Sequence, residues 1–345
     1  MEVNYDITIG IPVYNVENYI RRCLMSILSQ TFEGRMEILI VNDSCSDGTM
    51  DIIKDLQELH PRGKDIRIIE HQENQGVGIA RNTIIDHAQG KYLLFVDSDD
   101  YITTDCVKIL FEEGEKHQAE VVYGSVKTVN NEVELNYLEL PYKVFTQADA
   151  LACYAFQNLH ENLRNYIWNT LFLLDYLKEK KLRFPTVRFH EDVVFSTDLI
   201  PLVSRAVFTP KITYYYVIRD HSLSNIQGRT SISQEEAKQF IEIYTYVKNK
   251  NIILKDKPYY EARCARSMTQ MLYIASGLIK NRRIISPPIS NKIIKDAMKH
   301  PASFNEIMNF KQYKAANLAF YVLGILPNWL TVSIITIIAK YKKLL

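Results

Sequence analysis

Short runs of apolar, mostly β-branched residues recur through the first 130 positions, and segments with apolar residues at helical spacing lie between them. Five of these runs have the length and composition of buried strands: 6–11, 37–42, 66–70, 92–96 and 120–127. Strands that alternate with helices form right-handed βαβ units. The pattern therefore predicts an α/β fold with a doubly wound, mostly parallel sheet.

The pattern changes beyond residue 130. Residues 134–145 show no clear period and are interpreted as a connector, whereas 148–158 has helical spacing and 208–219 is rich in β-formers. Later segments are helical in pattern: 234–249, 259–280 and 289–299. We therefore predict two halves of an α/β region and a helical C-terminal region: 1–130, 131–230 and 231–345.

Polar loops follow four of the predicted strands. They are Pro12–Asn15, Asp43–Thr49, His71–Gly76 and Asp97–Asp100. The carboxyl ends of parallel strands meet at one edge of a sheet, and open α/β sheets bind their ligands at that edge. The sequence therefore predicts a functional site that is built from these four loops.

The loop after the fourth strand is acidic, with carboxylates at Asp97, Asp99 and Asp100. Asp97 and Asp99 are separated only by the small Ser98, so a bend would let both reach one hard cation. The alternative is an acidic turn before the next helix, with a threonine as the N-cap.

Gly76-Val77-Gly78 invites comparison with the dinucleotide fingerprint G-x-G-x-x-G. The second half of the fingerprint is missing, position 81 is Arg, and the loop after the first strand has no glycine. The sequence therefore disfavours a nicotinamide or flavin enzyme.

The composition is that of an ordinary globular protein, with 47% hydrophobic and 23% charged residues. Its five cysteines are scattered and form no C-x-x-C pair, which disfavours a disulfide framework or a zinc site and favours a reducing cytosol. Glu2 and Asp6 stand where a signal peptide would need basic residues. We therefore expect a cytoplasmic protein that is not exported.

Charge is distributed unevenly along the chain. From Ser231 onward there are 18 Lys and Arg against 7 Asp and Glu, a net charge of +11, and the rest of the chain carries −10. This split indicates an anionic partner for the C-terminal region, either lipid headgroups or nucleic acid, although solvated helical faces would have the same composition.

The C-terminal tail is apolar. Residues 315–339 contain no charged side chain and are flanked by lysines. Pro327 divides this stretch, so two short helices at 315–326 and 329–341 fit better than one membrane-spanning helix. These helices would lie on an anionic membrane surface, or they would pack on the protein as ordinary buried helices.

Six groups of residues, in this order, resemble the family 2 glycosyltransferases of the glycosyltransferase-A fold, of the bacterial polysaccharide type. They are Ile11–Asn15, Val41–Ser44 with Ser46–Thr49, Asn74–Gly76 with Ala80–Asn82, Phe95–Asp100, Trp168-Asn169 with Phe189–Asp192, and Tyr214–Tyr216 with Arg219. The resemblance covers about residues 5–225. Asn42 and Cys45 depart from it, because Asp and Ser or Thr are usual there, and Cys45 could alter how the nucleotide base is held.

The resemblance implies a metal-dependent, inverting transferase with no nucleic-acid partner. It would move a sugar from a nucleotide diphosphate sugar, commonly a UDP-sugar, to a glycan or lipid-linked glycan. The donor would bind in the half at 1–130 and the acceptor in the half at 131–230. Asp99 would ligate Mn²⁺ or Mg²⁺ directly, with Asp97 near the ribose and the metal. The alternative is a non-catalytic nucleotide-sugar-binding scaffold in an assembly complex.

Further donor contacts follow from the same resemblance. Asp43 would accept a hydrogen bond from the base, although it is also a possible helix cap. Arg81 would face the phosphates or form a surface salt bridge with Asp86. The remaining predicted donor-binding residues are Pro12, Val13, Asn15, Ser98 and Arg219.

Asp192 is the predicted general base, and Glu191 would orient it or contact the acceptor. A carboxylate on the acceptor side suits a single displacement. The alternative is a charged first turn of a helix, which the helix dipole favours. Trp168 is interpreted as a core residue more readily than as a sugar platform.

Overall fold

The computed structural model describes residues 4–130, 133–157, 167–218 and 231–342. The strands are β1 Tyr5–Val13, β2 Met36–Asn42, β3 Ile66–Glu70, β4 Gly90–Phe95, β5 Tyr101–Ile102, β6 Val121–Asn130, β7 Val133–Leu138, β8 Lys143–Phe145, β9 Thr170–Leu173, β10 Ala206–Val217, β11 Ile232–Ser233 and β12 Ile285–Ser286. The helices are α1 Ile20–Leu28, α2 Thr49–Leu59, α3 Val77–His87, α4 Cys106–His117, α5 Ala150–Gln157, α6 Leu174–Glu179, α7 Glu191–Leu199, α8 Gln234–Asn249, α9 Tyr260–Lys280, α10 Asn291–Ala297, α11 Phe304–Met308, α12 Lys314–Ile325 and α13 Asn328–Tyr341.

The main sheet has the strand order β3-β2-β1-β4-β9-β6-β10-β5, with β7 paired to β6 and β8 paired to β10. Strands β3, β2, β1 and β4 are parallel, as are β6 and β10, whereas β9 is antiparallel to both of its neighbours. The predicted doubly wound α/β fold with a helical C-terminal region is therefore confirmed, with a mixed sheet in which β5, β7, β8 and β9 pair antiparallel to their neighbours.

The connector predicted at 134–145 is wrong, because β7 and β8 lie there. Val133 and Leu135 of β7 are 61% and 50% exposed. A strand without a buried face lacks the alternation of apolar and polar residues by which strands are recognised. The sequence therefore gave no periodic signal at these two short strands.

Helix α3 lies close against the sheet. Every residue of β2 is buried, and β1 is buried from Ile7 onward, so both strands are covered on both faces. Gly10 of β1 permits a close approach, because a Cβ there would lie 2.4 Å from Cγ2 of Ile84. This packing fixes the position of α3 beneath the loops that follow the strands.

Strand β1 is longer than the predicted run 6–11. It continues through Pro12 to Val13, because both residues stay in register with β2. Asn15 lies in the loop that follows, and α1 begins at Ile20 with Tyr19 as its N-cap residue. Strand β4 begins at Gly90, before the predicted run 92–96, and a Cβ there would lie 2.4 Å from the backbone nitrogen of Thr8.

By its internal contacts the chain divides into two compact units. The first takes Met1–Leu151 with Arg164–Ser222, and the second takes Ala152–Leu163 with Leu223–Leu345. The predicted helices of the C-terminal region are present as α8, α9, α10, α12 and α13. None of the helices in the described residues is long and apolar enough to cross a lipid bilayer.

Candidate active site at the carboxyl edge of the sheet

Backbone in the left-handed region recurs in three loops of the predicted site and in two segments beside it. Five such residues lie after β1, β2 and β3, before β9 and before α7: Asn15 (φ 49°), Ser44 (φ 66°), Gly76 (φ 89°), Asn169 (φ 55°) and His190 (φ 58°). Non-glycine residues adopt this conformation only where surrounding contacts hold them, and such residues cluster at functional sites. The loops at this edge are therefore held in specific conformations.

The loops after β1 and β2 are joined to each other. The Oδ1 atom of Asn15 accepts a hydrogen bond from the Ser46 N–H at 2.8 Å, and the Thr49 hydroxyl accepts one from the Val16 N–H at 2.9 Å. Of the predicted donor-binding residues in this part of the chain, Pro12 and Val13 are buried in β1 and Asn15 is exposed.

Asp43 connects the loops after β2 and β3. Its carboxylate is buried and accepts hydrogen bonds from the backbone N–H groups of Gln75 (2.9 Å) and Gly76 (2.8 Å). The ring Nδ1 of His71 lies 2.7 Å from the same carboxylate, and the other ring nitrogen lies 2.9 Å from the Thr83 hydroxyl. Asp43 is not the cap of α2, whose N-cap residue is Gly48. The sequence placed His71 at this edge, in the loop His71–Gly76, but did not predict its contacts with Asp43 and Thr83.

The three carboxylates after β4 have different surroundings. Asp97 and Asp99 are partly exposed, whereas Asp100 is buried and accepts hydrogen bonds from the Tyr214 hydroxyl (2.8 Å) and the Val217 N–H (2.7 Å). Burial and the charges of Asp99 and Asp97 raise the pKa of Asp100 well above its usual range. Asp100 therefore fastens the end of β4 to β10, and the other two carboxylates concentrate negative charge beside it.

Trp168 supports this connection. Its indole stacks on Tyr214 and Tyr216 of β10, with ring centroids 4.7 Å and 5.4 Å apart. It is partly buried and packs against the hydrophobic core, in agreement with its interpretation as a core residue. Tyr214 also accepts a hydrogen bond from the Asp97 N–H at 3.1 Å, so the stack lies directly behind the acidic loop.

Arg81 of α3 lies between two carboxylates. Its guanidinium is buried, with Nη2 2.7 Å from Oδ1 of Asp97 and Nη1 hydrogen-bonded to Oε1 of Glu191. Although burial opposes the charge, these two carboxylates raise the pKa of Arg81 above its ordinary value. Asp86, the alternative partner predicted from sequence, pairs with Arg183 instead.

Asp192, the predicted base, lies in the first turn of α7 and is partly exposed. Its Oδ1 atom accepts a hydrogen bond from the Val193 N–H at 2.8 Å. Burial and the neighbouring Glu191 raise the pKa of Asp192 to about 7, against the opposing charge of Arg81. This carboxylate can therefore change its protonation state near neutral pH, as a general base requires.

The acidic loop is chemically suited to a divalent cation. Asp97 and Asp99 supply partly exposed carboxylate oxygens, which Mn²⁺ and Mg²⁺ prefer. Among the residues that the structure describes, no three His, Cys, Asp or Glu side chains are grouped as a complete metal site. Two carboxylates are only part of a coordination sphere, as is common where Mg²⁺ also binds substrate phosphates. Arg219, predicted to contact the donor, lies outside the described residues.

Comparison with solved structures defines the class of fold. The structure of S. aureus TarS residues 1–349 in complex with UDP-GlcNAc superimposes with a TM-score of 0.64 at 18% sequence identity, covering 92% of this chain and 90% of that one. The chain therefore has the glycosyltransferase-A fold.

Comparison of sequences gives the family. The family described as Glycosyl transferase family 2 matches residues 8–174. The uncharacterized glycosyltransferase EpsJ of Bacillus subtilis (strain 168) is 30% identical over 244 residues, which are 68% of this chain and 67% of EpsJ. The glycosyltransferase GlyA of Streptococcus pneumoniae serotype 4 is 33% identical over 232 residues, which are 66% of this chain but only 32% of GlyA. This chain belongs to glycosyl transferase family 2.

Proposed function

We propose that this chain moves a sugar from a nucleotide diphosphate sugar, of the UDP type, to a hydroxyl group of a glycan or lipid-linked glycan, with inversion at the anomeric carbon. The observation that carries the proposal is the pair of contacts made by Arg81. Through them the acidic end of β4 lies next to the start of α7, 94 residues later in the chain. A donor-binding loop and a candidate base are thereby neighbours.

A UDP-sugar donor is supported by the TarS structure of the same fold, which was solved with UDP-GlcNAc. The loops after β1, β2 and β3 would receive the nucleoside, since they form the edge where open α/β sheets bind ligands. Asp43 is already engaged by His71, Gln75 and Gly76. A hydrogen bond from the base to Asp43 would therefore be an additional one on a preorganised carboxylate.

Asp99, with Asp97, would hold Mn²⁺ or Mg²⁺. When bound, the ion would neutralise the diphosphate as a Lewis acid and so make it a better leaving group. The protein residues would do the remaining work, which is to orient the donor, to hold the acceptor and to accept its proton.

Asp192 would act as the general base. In its ionised form it would take the proton of the acceptor hydroxyl while that oxygen forms a bond to the anomeric carbon. The bond from the anomeric carbon to the diphosphate oxygen would break, and the nucleoside diphosphate would leave with the electron pair. A single displacement assisted by one base would invert the configuration of the anomeric carbon. Glu191 would not take the proton but would hold the start of α7 in place.

A non-catalytic scaffold that only binds a nucleotide sugar is the second candidate. The protein would be incubated with UDP-sugars, an oligosaccharide acceptor mixture and Mn²⁺, and both released UDP and glycan product would be measured. Metal-dependent product with inverted anomeric configuration by NMR supports the proposal. Binding of a UDP-sugar without product from any acceptor supports the scaffold, and retained configuration contradicts the single displacement.

Contact with an anionic membrane surface, such as the inner face of the cell membrane, is a further part of the proposal. Four apolar or aromatic side chains of α12 and α13 are 63–88% exposed, namely Ile325, Trp329, Ile337 and Tyr341. Lys314 and Lys340 are exposed at the beginning of α12 and near the end of α13. Exposed aromatic and aliphatic side chains with nearby lysines are typical of helices that lie in a lipid interface.

A further inference from the structure

We infer that Arg81 is a positioning residue for transfer, which holds the acidic loop after β4 and the base-bearing start of α7 in one arrangement. This inference rests on the proposed function, in which Asp192 is the base. It differs from the direct phosphate contact that the sequence favoured for Arg81. Both terminal nitrogens of the guanidinium are directed at protein carboxylates, on Asp97 and Glu191.

The contacts of Arg81 connect distant parts of the chain. Asp97 is 16 residues away and Glu191 is 110 residues away, yet one buried side chain bonds both. Its Nε atom is buried without a hydrogen-bond partner among the described residues. The guanidinium is therefore oriented so that Nη1 and Nη2 bond the two carboxylates, while Nε is left without a bond.

Two other residues of α3, Asn82 and Gly78, contact the loop before α7. The side chain of Asn82 makes two hydrogen bonds of 2.9 Å with the backbone of Phe184, one to the carbonyl and one from the N–H. A Cβ on Gly78 would lie 2.8 Å from the carbonyl oxygen of Pro185 and 3.6 Å from Cβ of Glu191. Helix α3 therefore lies against the loop before α7 and its first residue, with Arg81 as its charged contact.

The charges at this site explain why the contact requires a cation. Glu191 and Asp97 act on Asp192 with negative charge, and Arg81 is the positive group that acts on it. His190 precedes Glu191 in the same segment, and burial lowers the pKa of its imidazole, which disfavours a second positive charge there. Without Arg81, two carboxylates next to Asp192 would lose their partner, and Asp192 would hold its proton to higher pH.

The test compares three variants of the full chain in the transfer assay, across pH 5–9. Arg81→Met is expected to lower kcat at pH 7 by about tenfold or more and to move the acid limb of the kcat profile to higher pH, because ionised Asp192 becomes rarer. Asn82→Ala removes an uncharged contact of the same helix, so kcat falls and the limb stays in place. Arg183→Met breaks the exposed pair with Asp86 of α3 and is the matched control, with kcat and limb both unchanged.

Opposite results would overturn the inference. If Arg81→Met raises KM for the donor and leaves kcat and the acid limb unchanged, Arg81 binds the donor directly. If kcat falls but the limb stays where it is in the unsubstituted protein, Arg81 has a purely structural role.

A second measurement needs no transfer activity, so it separates this inference from the proposed function. The free energy of unfolding by denaturant is measured against pH for four proteins: the unsubstituted chain, Asp192→Asn, Arg81→Met and the double variant. The stability difference due to Asp192→Asn marks the pH range in which Asp192 ionises. We expect Asp192 to ionise at higher pH in the Arg81→Met background than in the unsubstituted background. If Asp192 ionises over the same pH range in both, the inference is refuted, even if the protein proves to be inactive.

Discussion

Neighbouring carboxylates in this protein differ because their surroundings differ. Asp100 is buried and bonded to Tyr214 and Val217, Asp97 is paired with Arg81, and Asp99 lies between them in sequence and is partly exposed. The same residue type therefore holds the fold at Asp100 and stays partly exposed, where it could bind a ligand, at the preceding position. Environment, more than identity, decides the role of each acid.

Substitution at Asp99 and Asp100 should separate these roles. We expect Asp99→Ala to abolish the stimulation of transfer by Mn²⁺, because the diphosphate would lose the ion held there. Asp100→Ala should instead lower the Tm, because two buried hydrogen-bond donors lose their acceptor at a cost of about 1–3 kcal/mol each. For each variant, transfer activity is measured against Mn²⁺ concentration, and the Tm is measured by thermal unfolding. An Asp99→Ala enzyme with an unchanged Mn²⁺ requirement would exclude Asp99 as the ligand.

Asp192→Asn should reduce turnover by about 10²–10⁴-fold while donor binding is retained, as expected for loss of a general base. In the unsubstituted enzyme kcat should rise with pH and level off above about pH 7, because the base must be ionised and its pKa is raised to about 7. The measurement is a kcat–pH profile with donor affinity in parallel. Loss of turnover in Glu191→Gln with full turnover in Asp192→Asn would identify Glu191 as the base.

The same substitution should stabilise the fold at neutral pH. Because the pKa of Asp192 is higher in the folded state, the folded chain binds more protons than the unfolded chain between about pH 4 and 7. Stability attributable to this group is therefore greatest at low pH and declines as pH rises through that range. We expect Asp192→Asn to raise the Tm at pH 8 and to leave it unchanged near pH 3.5. Equal Tm values at both pH values would contradict the raised pKa.

The sequence predicted the positions of the acidic residues at this edge better than it predicted their contacts. Acids at the end of a buried strand, and at the start of a helix, are recognisable because strand ends and first turns have local signals. The pairing of Arg81 with Glu191 has no local signal, since the two are 110 residues apart. The contacts of His71, whose loop was predicted to belong to the site, were missed for the same reason, because its partners Asp43 and Thr83 lie on other elements.

At the scale of elements, α3 explains a motif that the sequence left ambiguous. Gly76 is in the left-handed region and donates its N–H to Asp43. Gly78 has a different role, because α3 approaches the carbonyl of Pro185 too closely for a side chain. The two glycines therefore serve a loop conformation and a helix contact, and the resemblance to a dinucleotide fingerprint is incidental.

Two glycine substitutions in helices should have opposite effects. Gly78→Ala should lower both Tm and kcat, because its Cβ would press on Pro185 and displace the start of α7. Gly277→Ala in α9 should raise the stability of the protein by about 0.5–1 kcal/mol, because no atom lies within 4 Å of the added Cβ and Ala favours a helix. Thermal and denaturant unfolding measure the stability of both variants, and the transfer assay measures their kcat. A stabilised, fully active Gly78→Ala variant would show that the helix contact can relax.

The elements predicted best are those whose burial imposes a period. The long helix α8 was predicted at the observed residues, and α9 differs by one residue at its start. By contrast, β7 and β8 are short, and β9 has only four residues between two other strands. Their existence depends on pairing with distant strands, which a single segment does not encode.

For the whole molecule, the C-terminal unit combines a packed interior with an exposed apolar edge. Tyr260, Cys264, Ile307 and Phe310 form a buried cluster, against which Tyr321 of α12 packs. Packing on the protein, one of the two alternatives for the tail, is observed for one face of these helices, and contact with a membrane stays a proposal. One face of α12 and α13 is packed on the protein, and Trp329 and Ile337 point to solvent.

We expect the full chain to bind vesicles of phosphatidylserine and phosphatidylcholine at low salt, and to bind neutral vesicles less, because lysines near the tail are attracted to anionic lipid. Cosedimentation measures the bound fraction. Substitution of Trp329 and Ile337 together by Ser should reduce binding by about tenfold or more, since both would enter the interface.

A matched control removes exposed apolar area elsewhere in the same unit. Ile253 and Tyr273 are 76% and 61% exposed, and their joint replacement by Ser should leave vesicle binding unchanged. If both double variants bind as the parent does, the exposed side chains of α13 are not the membrane contact.

The insertion of β9 between β4 and β6 has a consequence for synthesis on the ribosome. Strands β3, β2, β1 and β4 can pair as soon as they emerge, but the far edge of β4 must wait for β9, which begins 75 residues after β4 ends. At about 5–20 residues per second the delay is roughly 4–15 s. During that time an apolar strand edge is open to pairing with other chains. Nascent chains stalled before β9 should therefore recruit chaperones and aggregate on release, and chains stalled well after it should do neither.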